Sequence, residues 1–332
     1  MAQATWPGLV TAWCALIHPC LDGLRVARLY RLGRLTFRSV RFSLREELMQ
    51  PSGTMHDGSS KAKKVKASNK IPRDRPCSPQ GAWEVLDQKL SDKLGELSVT
   101  NENLGSVQSC LHALQTVVSE LSPGWRVRPF GSTANGFATR GSDLDVTCCR
   151  CGIQPGCGMP LGVVELQSKL LKALEARTMF EVVEDVRTAR VPILRLKFEQ
   201  SLDVDLSFQN VEPLPNTQLL RAYAALDPCV RNLVILVKLW AKGAGVAGAQ
   251  NGHLSPYAWT LMVIYFLQVS PSSNMPCLST AVFNGDVGIP SQARLPWSYR
   301  GPLSQMLFMF FQFFADEFKW GKEVVSVRMG QR

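Results

Sequence analysis

The sequence lacks several features that would assign it to a class of protein at once. Its apolar runs, such as residues 259–269, are shorter than the roughly 20 residues that a membrane-spanning helix needs. Its 10 cysteines follow no regular disulfide spacing, and a chain of 332 residues does not need such a framework. No RRM, KH or zinc-finger pattern is visible. We therefore expect a chain that makes no membrane contact and works in a reducing compartment.

An excess of positive charge is also missing from most of the chain, despite a formal net charge of +10. Residues 1–75 contain 14 Lys/Arg and 5 Asp/Glu, a net charge of +9. The remaining 257 residues contain 23 Lys/Arg and 22 Asp/Glu, a net charge of +1. A nucleic acid or nucleotide would therefore meet the folded part through a local patch rather than a broad basic surface.

The basic N-terminal extension, residues 1–80, is predicted to be disordered or a transit peptide. Its arginines recur at a helical spacing of three or four, at Arg25, Arg28, Arg31, Arg34, Arg38, Arg41 and Arg45. Such an Arg-rich, acid-poor segment is typical of organellar transit peptides, while a solvated tail or a misassigned start are the alternatives. We expect a cytoplasmic protein, or a mitochondrial or plastid one if residues 1–50 are a transit peptide. The lysine-rich run at 61–66 could serve as a nuclear signal, so a nuclear location is a further alternative.

The most informative stretch is FGSTANGFATRGSDLDVT at 130–147. Because side chains alternate along a strand, Asp143 and Asp145 would share one face while the residue between them points into the core. Paired carboxylates are hard oxygen ligands of the kind that hold Mg²⁺ together with substrate phosphates. Gly131 and Ser132 predict a tight turn that opens a helix, where free N–H groups can hold a phosphate. A solvated strand edge remains the alternative for the aspartates.

A second candidate strand, Leu202–Phe208, carries two more aspartates. Alternate residues from Leu202 onward are apolar, so Asp203 and Asp205 share the opposite face. That face would be directed at solvent or at a site, and periodicity does not choose between them.

Two lysines lie on a later helical segment, VKLWAK at 237–242. Lys238 and Lys242 are i, i+4 neighbours, so both ammonium groups can reach one triphosphate. A solvated cationic face is the alternative interpretation of such a pair.

Four cysteines, Cys148, Cys149, Cys151 and Cys157, follow the Asp143–Asp145 segment. They are predicted to lie in a Gly/Pro loop as thiols, because the paired CxxC spacing of structural zinc is absent.

Taken together, these segments resemble the DNA-polymerase-β-like nucleotidyltransferases, and among them the noncanonical poly(A) polymerases and terminal uridylyltransferases. The resemblance covers about residues 82–330. The motifs that carry it are GS at 131–132, DLD at 143–145, VDLSFQN at 204–210, NT at 216–217, VKLWAK at 237–242 and GHLSPYAWTLMVIYFLQ at 252–268.

The resemblance implies a role for each residue of the candidate site. The family's third carboxylate precedes a hydrophobic-Ser-Phe triplet, which selects Asp205 over Asp203. Asp143, Asp145 and Asp205 would then bind two Mg²⁺ (or Mn²⁺) ions that stabilise the entering and leaving oxygens of an in-line displacement. The expected nucleotide contacts are Gly131, Ser132, Lys238 and Lys242 to the phosphates, Asn216 and Thr217 to the ribose, and Tyr257 to the base.

The second half of the chain departs from the family pattern at two places. Pro256 stands where the family commonly has a serine that contacts phosphate, so we expect that contact to be lost or supplied by Ser255. The segments 303–318 and 324–330 resemble the last helix and the start of the nucleotide-recognition segment. The base-reading residues that follow in the family are missing, so the sequence is expected to be a fragment or an abbreviated enzyme.

We expect an α+β fold: a polymerase-β-like catalytic domain with a mixed sheet and helices at 81–215, and a mostly helical PAP-associated central domain at 216–332. The first helix is expected to pack on the second domain. The implied reaction adds UMP or AMP from UTP or ATP to a single-stranded RNA 3′ end without a template, and the motif VVSVR favours UTP. Partner proteins or the basic tail would select the RNA. The rivals are another nucleotidyltransferase branch (such as an oligoadenylate synthetase or a tRNA CCA-adding enzyme), an organellar or nuclear poly(A) polymerase, and a catalytically inactive RNA-binding scaffold.

Overall fold

The computed structural model describes residues 79–150, 161–186, 191–249 and 252–332. The predictions for the N-terminal extension and for Cys151 and Cys157 lie outside these residues. No helix in the described ranges is both long enough and apolar enough to span a bilayer.

The first half of the described chain alternates helices and strands. Its elements are α1 (Pro79–Leu97), α2 (Asn101–Leu121), β1 (Trp125–Phe130), α3 (Gly131–Asn135), β2 (Leu144–Arg150), α4 (Val163–Glu175), β3 (Phe180–Val186), β4 (Ile193–Phe198) and β5 (Leu202–Phe208).

The second half is helical. Its elements are α5 (Pro213–Ala224), α6 (Pro228–Gly243), α7 (Pro256–Val269), two short 3₁₀ turns (Thr280–Val282 and Ser291–Ala293), and α8 (Leu303–Gln312), which continues as a π-helical turn (Phe313–Glu317).

The strands form one mixed sheet in the order β1-β2-β5-β4-β3. Only β2 and β5 pair in parallel among these strands, and the other neighbours are antiparallel. Alternation along the two central strands sends Leu144, Val146, Val204 and Leu206 to one face, where they are buried under α2 and α4. The opposite face carries the aspartates. The predicted α+β class with a mixed sheet is confirmed.

The chain buries its apolar side chains in two clusters. One cluster joins the sheet to α2 and α4, and the other joins the helices of the second half. Leu86, Leu90 and Leu94 of α1 are four residues apart, so they share one helix face, and they belong to the second cluster. The carboxylate of Asp87 accepts a hydrogen bond from the backbone N–H of Ser304 (2.7 Å). The first helix therefore packs on the helical half, although it precedes the sheet in sequence.

The structure describes Cys148 and Cys149 of this group: both are thiols as predicted, but the predicted loop was wrong. Cys148 and Cys149 do not lie in a loop but at the end of β2, and both are buried. The strand continues through them because both neighbouring strands still offer pairing: Cys148 lies opposite Val127 on β1 and Phe208 on β5. A small apolar side chain such as cysteine suits a buried strand.

Phe137 connects the two halves. It lies between α3 and β2 in the sequence, yet its ring is only 1% exposed and belongs to the helical cluster. Arg128 of β1 makes a second connection, because its guanidinium donates to the backbone carbonyl of Gly285 in the helical half. The candidate site is built where these two halves meet.

Candidate metal and nucleotide site

Three carboxylates meet where the start of β2 lies beside the middle of β5. Asp145 on β2 lies directly opposite Asp205 on β5 in the parallel ladder, and Asp143 immediately precedes β2. One carboxylate oxygen from each residue lies within 4.8 Å of the others. Asp203 is outside this group: its side chain is 72% exposed and lies 3.5 Å from Lys197. The structure thus brings together the three aspartates that the resemblance had selected.

The cluster is electrostatically unfavourable without a cation. Burial, followed by repulsion from Asp143 and Asp205, raises the pKa of Asp145 to about 7, and Lys238 opposes this shift. Burial also raises the pKa of Asp205, against the opposing charge of Arg195. Asp145 would therefore be partly protonated at neutral pH unless another positive charge were bound beside it.

The donor set fits a hard divalent cation. Three carboxylate oxygens converge within a space that one ion could contact, and oxygen ligands are those that Mg²⁺ and Mn²⁺ prefer. A divalent cation would relieve the repulsion that raises the pKa of Asp145. The role of these residues as metal ligands stays a prediction.

Gly131 is needed because the Asp145 carboxylate lies against its Cα. A Cβ at this position would lie 1.9 Å from Asp145 Oδ2, and the residue has φ of +69°. Both features favour glycine over any L-amino acid with a side chain. Gly131 begins α3, and the partly exposed Ser132 follows it. The structure differs from the predicted phosphate cradle in one respect, because the Gly131 N–H is not free but donates to Thr217 Oγ1 (3.2 Å).

The predicted ribose-contacting pair lies in the first turns of α5. Asn216 is exposed, whereas Thr217 is half-buried. The hydroxyl of Thr217 accepts the hydrogen bond from the Gly131 N–H. A hydroxyl that accepts one hydrogen bond can still donate another, so this contact leaves Thr217 able to bind a ligand.

The two predicted phosphate lysines differ in environment. Lys238 is half-buried and its Nζ donates to the backbone carbonyl of Phe137 (3.4 Å). Burial lowers the pKa of Lys238, against the opposing charges of Asp143 and Asp145. Lys242, one turn later, is exposed. The structure therefore places Lys238 close to the carboxylates and leaves Lys242 directed at solvent.

Tyr257 lies in the first turn of α7 and is 45% exposed, so one part of its ring is accessible to a ligand. Pro256 occupies the first position of α7, where a missing N–H does not matter. Ser255 caps the helix, and its Oγ accepts from the N–H of Ala258 (3.1 Å).

Sequence reasoning missed two arginines at this site. Arg195 of β4 lies beside Asp205 in the ladder, with Nε 3.8 Å from Oδ1 and another guanidinium nitrogen 2.6 Å from Glu184. Alternation along β4 would place Arg195 on one face, but only the pairing register shows which aspartate it meets. Arg231 of α6 donates to the carbonyls of Gly136 (3.0 Å) and Ala138 (3.2 Å). Nothing in the local sequence pattern predicts these partners.

Comparison with known proteins places these features in a family. The family described as "Poly(A) RNA polymerase, mitochondrial-like, central palm domain" matches residues 86–225. The chain is 31% identical over 268 residues to "Poly(A) RNA polymerase GLD2" of Danio rerio, a match that covers 76% of this chain and 54% of that protein. It is also 31% identical over 272 residues to "Terminal uridylyltransferase 7" of Homo sapiens, covering 76% of this chain and 18% of that protein.

The chain belongs to the family of noncanonical poly(A) polymerases and terminal uridylyltransferases. The predicted family is thus confirmed.

Solved structures of this family share the fold. A structure of the GLD-2/RNP-8 complex is 29% identical, with a TM-score of 0.64, covering 75% of this chain and 80% of that one. A crystal structure of the Cid1 poly(U) polymerase, with Mg and 3′-dATP bound, is 26% identical with a TM-score of 0.63. That match covers 74% of this chain and 78% of that one. The chain spans about half the length of the GLD2 relative from Danio rerio and a smaller share of the uridylyltransferase.

Proposed function

We propose that this chain transfers a nucleoside monophosphate from UTP or ATP to the 3′-hydroxyl of single-stranded RNA, without a template. The RNA 3′-oxygen forms a bond to the α-phosphorus, the bond to the leaving pyrophosphate breaks, and the hydroxyl proton is released. The observation that supports this proposal most strongly is the pairing of Asp145 with Asp205 across the parallel ladder, beside Asp143 and within a 4.8 Å cluster.

The cluster has the composition expected of a metal site for phosphoryl chemistry. Asp143, Asp145 and Asp205 would hold Mg²⁺ or Mn²⁺, which would stabilise the negative charge on the reacting phosphate and its leaving oxygen. Gly131 allows Asp145 to approach the backbone closely, because any side chain at that position would collide with the carboxylate.

The other predicted nucleotide contacts would complete the site. Lys238, which is half-buried and close to the aspartates, would neutralise phosphate oxygens, and Lys242 would add a second, solvent-exposed charge. Thr217 and Asn216 would contact the ribose, where a 2′-hydroxyl distinguishes NTP from dNTP. Tyr257 would stack on the base, an interaction that tolerates any base.

Partner proteins are also part of the proposal. The solved GLD-2/RNP-8 complex supports the expectation that members of this family work with a protein partner. A partner would supply the RNA selectivity that the nearly neutral folded part of this chain does not provide through charge.

The test is RNA extension with one nucleotide at a time. The purified full chain is incubated with a labelled oligo(A) RNA, Mg²⁺ or Mn²⁺, and ATP, UTP, GTP or CTP separately, and the products are resolved at single-nucleotide length. Extension with UTP or ATP supports the proposal, and the preferred nucleotide assigns the chain to uridylyl or adenylyl transfer. Binding of nucleotide without extension under any of these conditions would instead support an inactive RNA-binding homologue.

A further inference from the structure

The segment that joins the Gly131–Asn135 helix to Asp143 is held mainly by the helical half. Phe137 inserts its ring into the helical cluster, where it is 1% exposed. The backbone carbonyls on either side of it, those of Gly136 and Ala138, both accept hydrogen bonds from the Arg231 guanidinium (3.0 and 3.2 Å). The carbonyl of Phe137 itself accepts a longer hydrogen bond from Lys238 Nζ (3.4 Å).

Three cations of α6 form a stripe along one side of the helix. Arg231, Lys238 and Lys242 are separated by seven and four residues, so they lie on nearly the same face. Arg231 occupies the end that contacts the 136–138 segment, Lys238 lies in the middle beside the carboxylates, and Lys242 is exposed at the far end.

Arg231 and Lys238 contact the 136–138 segment in different ways. A guanidinium carries several N–H donors in a fixed planar fork, so Arg231 can hold two carbonyls at once. An ammonium is a compact charge on a flexible stem, and the single bond from Lys238 is long. Because Arg231 fixes the segment, Lys238 is not required to do so and can turn to another ligand.

We propose that Arg231 is a positioning residue for the reaction: by holding the carbonyls of Gly136 and Ala138, it sets Asp143 relative to Asp145 and leaves Lys238 available to the nucleotide. The inference rests on the proposed function. It adds a residue that touches neither substrate nor metal but acts through the backbone between the Gly-Ser helix and the first aspartate.

The kinetic test uses Arg231→Gln and Arg231→Lys. We expect Arg231→Gln to lower kcat for RNA extension about 10- to 100-fold, as expected when reacting groups are misplaced by an ångström or less. The KM for NTP should change less than kcat. Arg231→Lys keeps the charge but reaches one carbonyl at a time, so it should recover only part of kcat.

Arg177→Gln is the matched control. Arg177 also donates to a backbone carbonyl, that of Ala173 (2.8 Å), and forms an ion pair with Glu120. It connects helices on the opposite side of the sheet from the aspartates, so its loss should leave kcat unchanged. The melting temperatures of the Gln variants are compared, so that a general loss of stability is separated from a local effect.

Hydrogen–deuterium exchange provides a readout that does not depend on activity. Several amides in the segment 137–142 are hydrogen-bonded, including Phe137 N–H to Asn135 and Arg140 N–H to Leu97. We expect Arg231→Gln to speed exchange across 136–143 at least about fivefold while exchange in β5 is unchanged, because the loss opens this segment locally.

The outcomes separate the two claims. If the wild-type chain extends no RNA but exchange in Arg231→Gln rises at 136–143, the proposed function fails and the positioning contact stands. If exchange is unchanged, or if Arg231→Lys reaches the wild-type kcat, the two-carbonyl contact is not needed and the inference is wrong. An increase in KM with kcat unchanged would make Arg231 a binding group and would also overturn it.

Discussion

The two sides of the site differ in what fixes their residues. On the sheet side, Asp145 and Asp205 are set by the backbone ladder of two paired strands, both of which are buried on their opposite face. On the helical side, Lys238 and Lys242 extend from α6 and Tyr257 from α7, and two of the three are exposed. The carboxylates are therefore pre-organised against their own repulsion, whereas the predicted nucleotide contacts depend on how the two halves pack. We expect substitutions of the three carboxylates to affect the chemical step, and substitutions of Lys238, Lys242 or Tyr257 to affect nucleotide binding.

The largest effect is expected at the carboxylates. Asp145→Asn and Asp205→Asn should each lower RNA extension by about 1,000-fold or more, because a metal ligand that stabilises the transition state contributes several kcal/mol. The measurement is kcat at saturating NTP and Mg²⁺, with circular dichroism to show that the variants are folded.

Asp203→Asn is the control for Asp205→Asn. Asp203 lies on the same face of the same strand but is 72% exposed and outside the cluster. Its activity should stay within about twofold of wild type, since a surface ion pair contributes little. Full activity in Asp145→Asn or Asp205→Asn would contradict the metal assignment.

A second large effect is expected for Gly131→Ala, which tests the close approach of helix α3 to the carboxylates. The new Cβ would displace the Asp145 carboxylate, so we predict a loss of kcat of about 100-fold. Alanine would also have to adopt the positive φ of this position, which is unfavourable for it, so we predict a loss of about 1–3 kcal/mol in the free energy of unfolding. Urea denaturation and extension assays measure the two effects.

Gly105→Ala is the control for this change. Gly105 lies within α2, and apart from its neighbours and the backbone of its own helix no atom lies within 4 Å of the position that a Cβ would take there. Alanine at this position should raise the free energy of unfolding by about 0.5–1 kcal/mol and leave kcat unaltered. Equal activities of the two glycine variants would show that Asp145 tolerates a side chain at Gly131.

An intermediate effect is expected at Tyr257. Tyr257→Ala should raise the KM for NTP about 5- to 50-fold by removing a stacking surface, while Tyr257→Phe should keep KM within about twofold. If alanine and phenylalanine behave alike, the ring does not stack on the base.

A smaller effect is expected for Lys242→Ala, since this lysine is exposed and acts through solvent. We predict an increase in the KM for NTP of about three- to fivefold, with little change in kcat, and a stronger increase at low ionic strength. An unchanged NTP dependence would remove Lys242 from the site.

The carboxylate cluster should also make the stability of the metal-free protein depend on pH. The pKa of Asp145 is about 7 in the fold, above its value in the unfolded chain, so the folded state binds the extra proton between about pH 4 and pH 7. Stability should therefore decrease as pH rises through this window and level off above it. Thermal unfolding in EDTA should show this decrease in the wild type and a smaller one in Asp145→Asn, whereas parallel curves would contradict it.

Much of the carboxylate side could be predicted from the sequence. Alternation in Leu202–Phe208 placed Asp203 and Asp205 on one face, and the family resemblance then selected Asp205. Periodicity could not make that selection, because it depends on the register that pairs Asp205 with Asp145 and leaves Asp203 opposite Lys197.

The contacts between the two halves were not predictable in the same way. Arg231 reaches Gly136 and Ala138 across more than 90 residues, and the packing of Phe137 into the helical cluster has no local pattern. The loop prediction for Cys148 and Cys149 failed for a related reason. Pairing with β1 extends β2 through both residues, and pairing with β5 extends through Cys148, into a region whose composition suggests a loop.

The most direct test of the central claim is anomalous diffraction from crystals of the protein grown with Mn²⁺ and a non-hydrolysable NTP. We predict a Mn²⁺ peak within coordinating distance of Asp143, Asp145 and Asp205, and its loss in Asp205→Asn crystals. A Mn²⁺ peak that contacts none of these three carboxylates, or nucleotide bound with no Mn²⁺ beside them, would contradict the metal assignment.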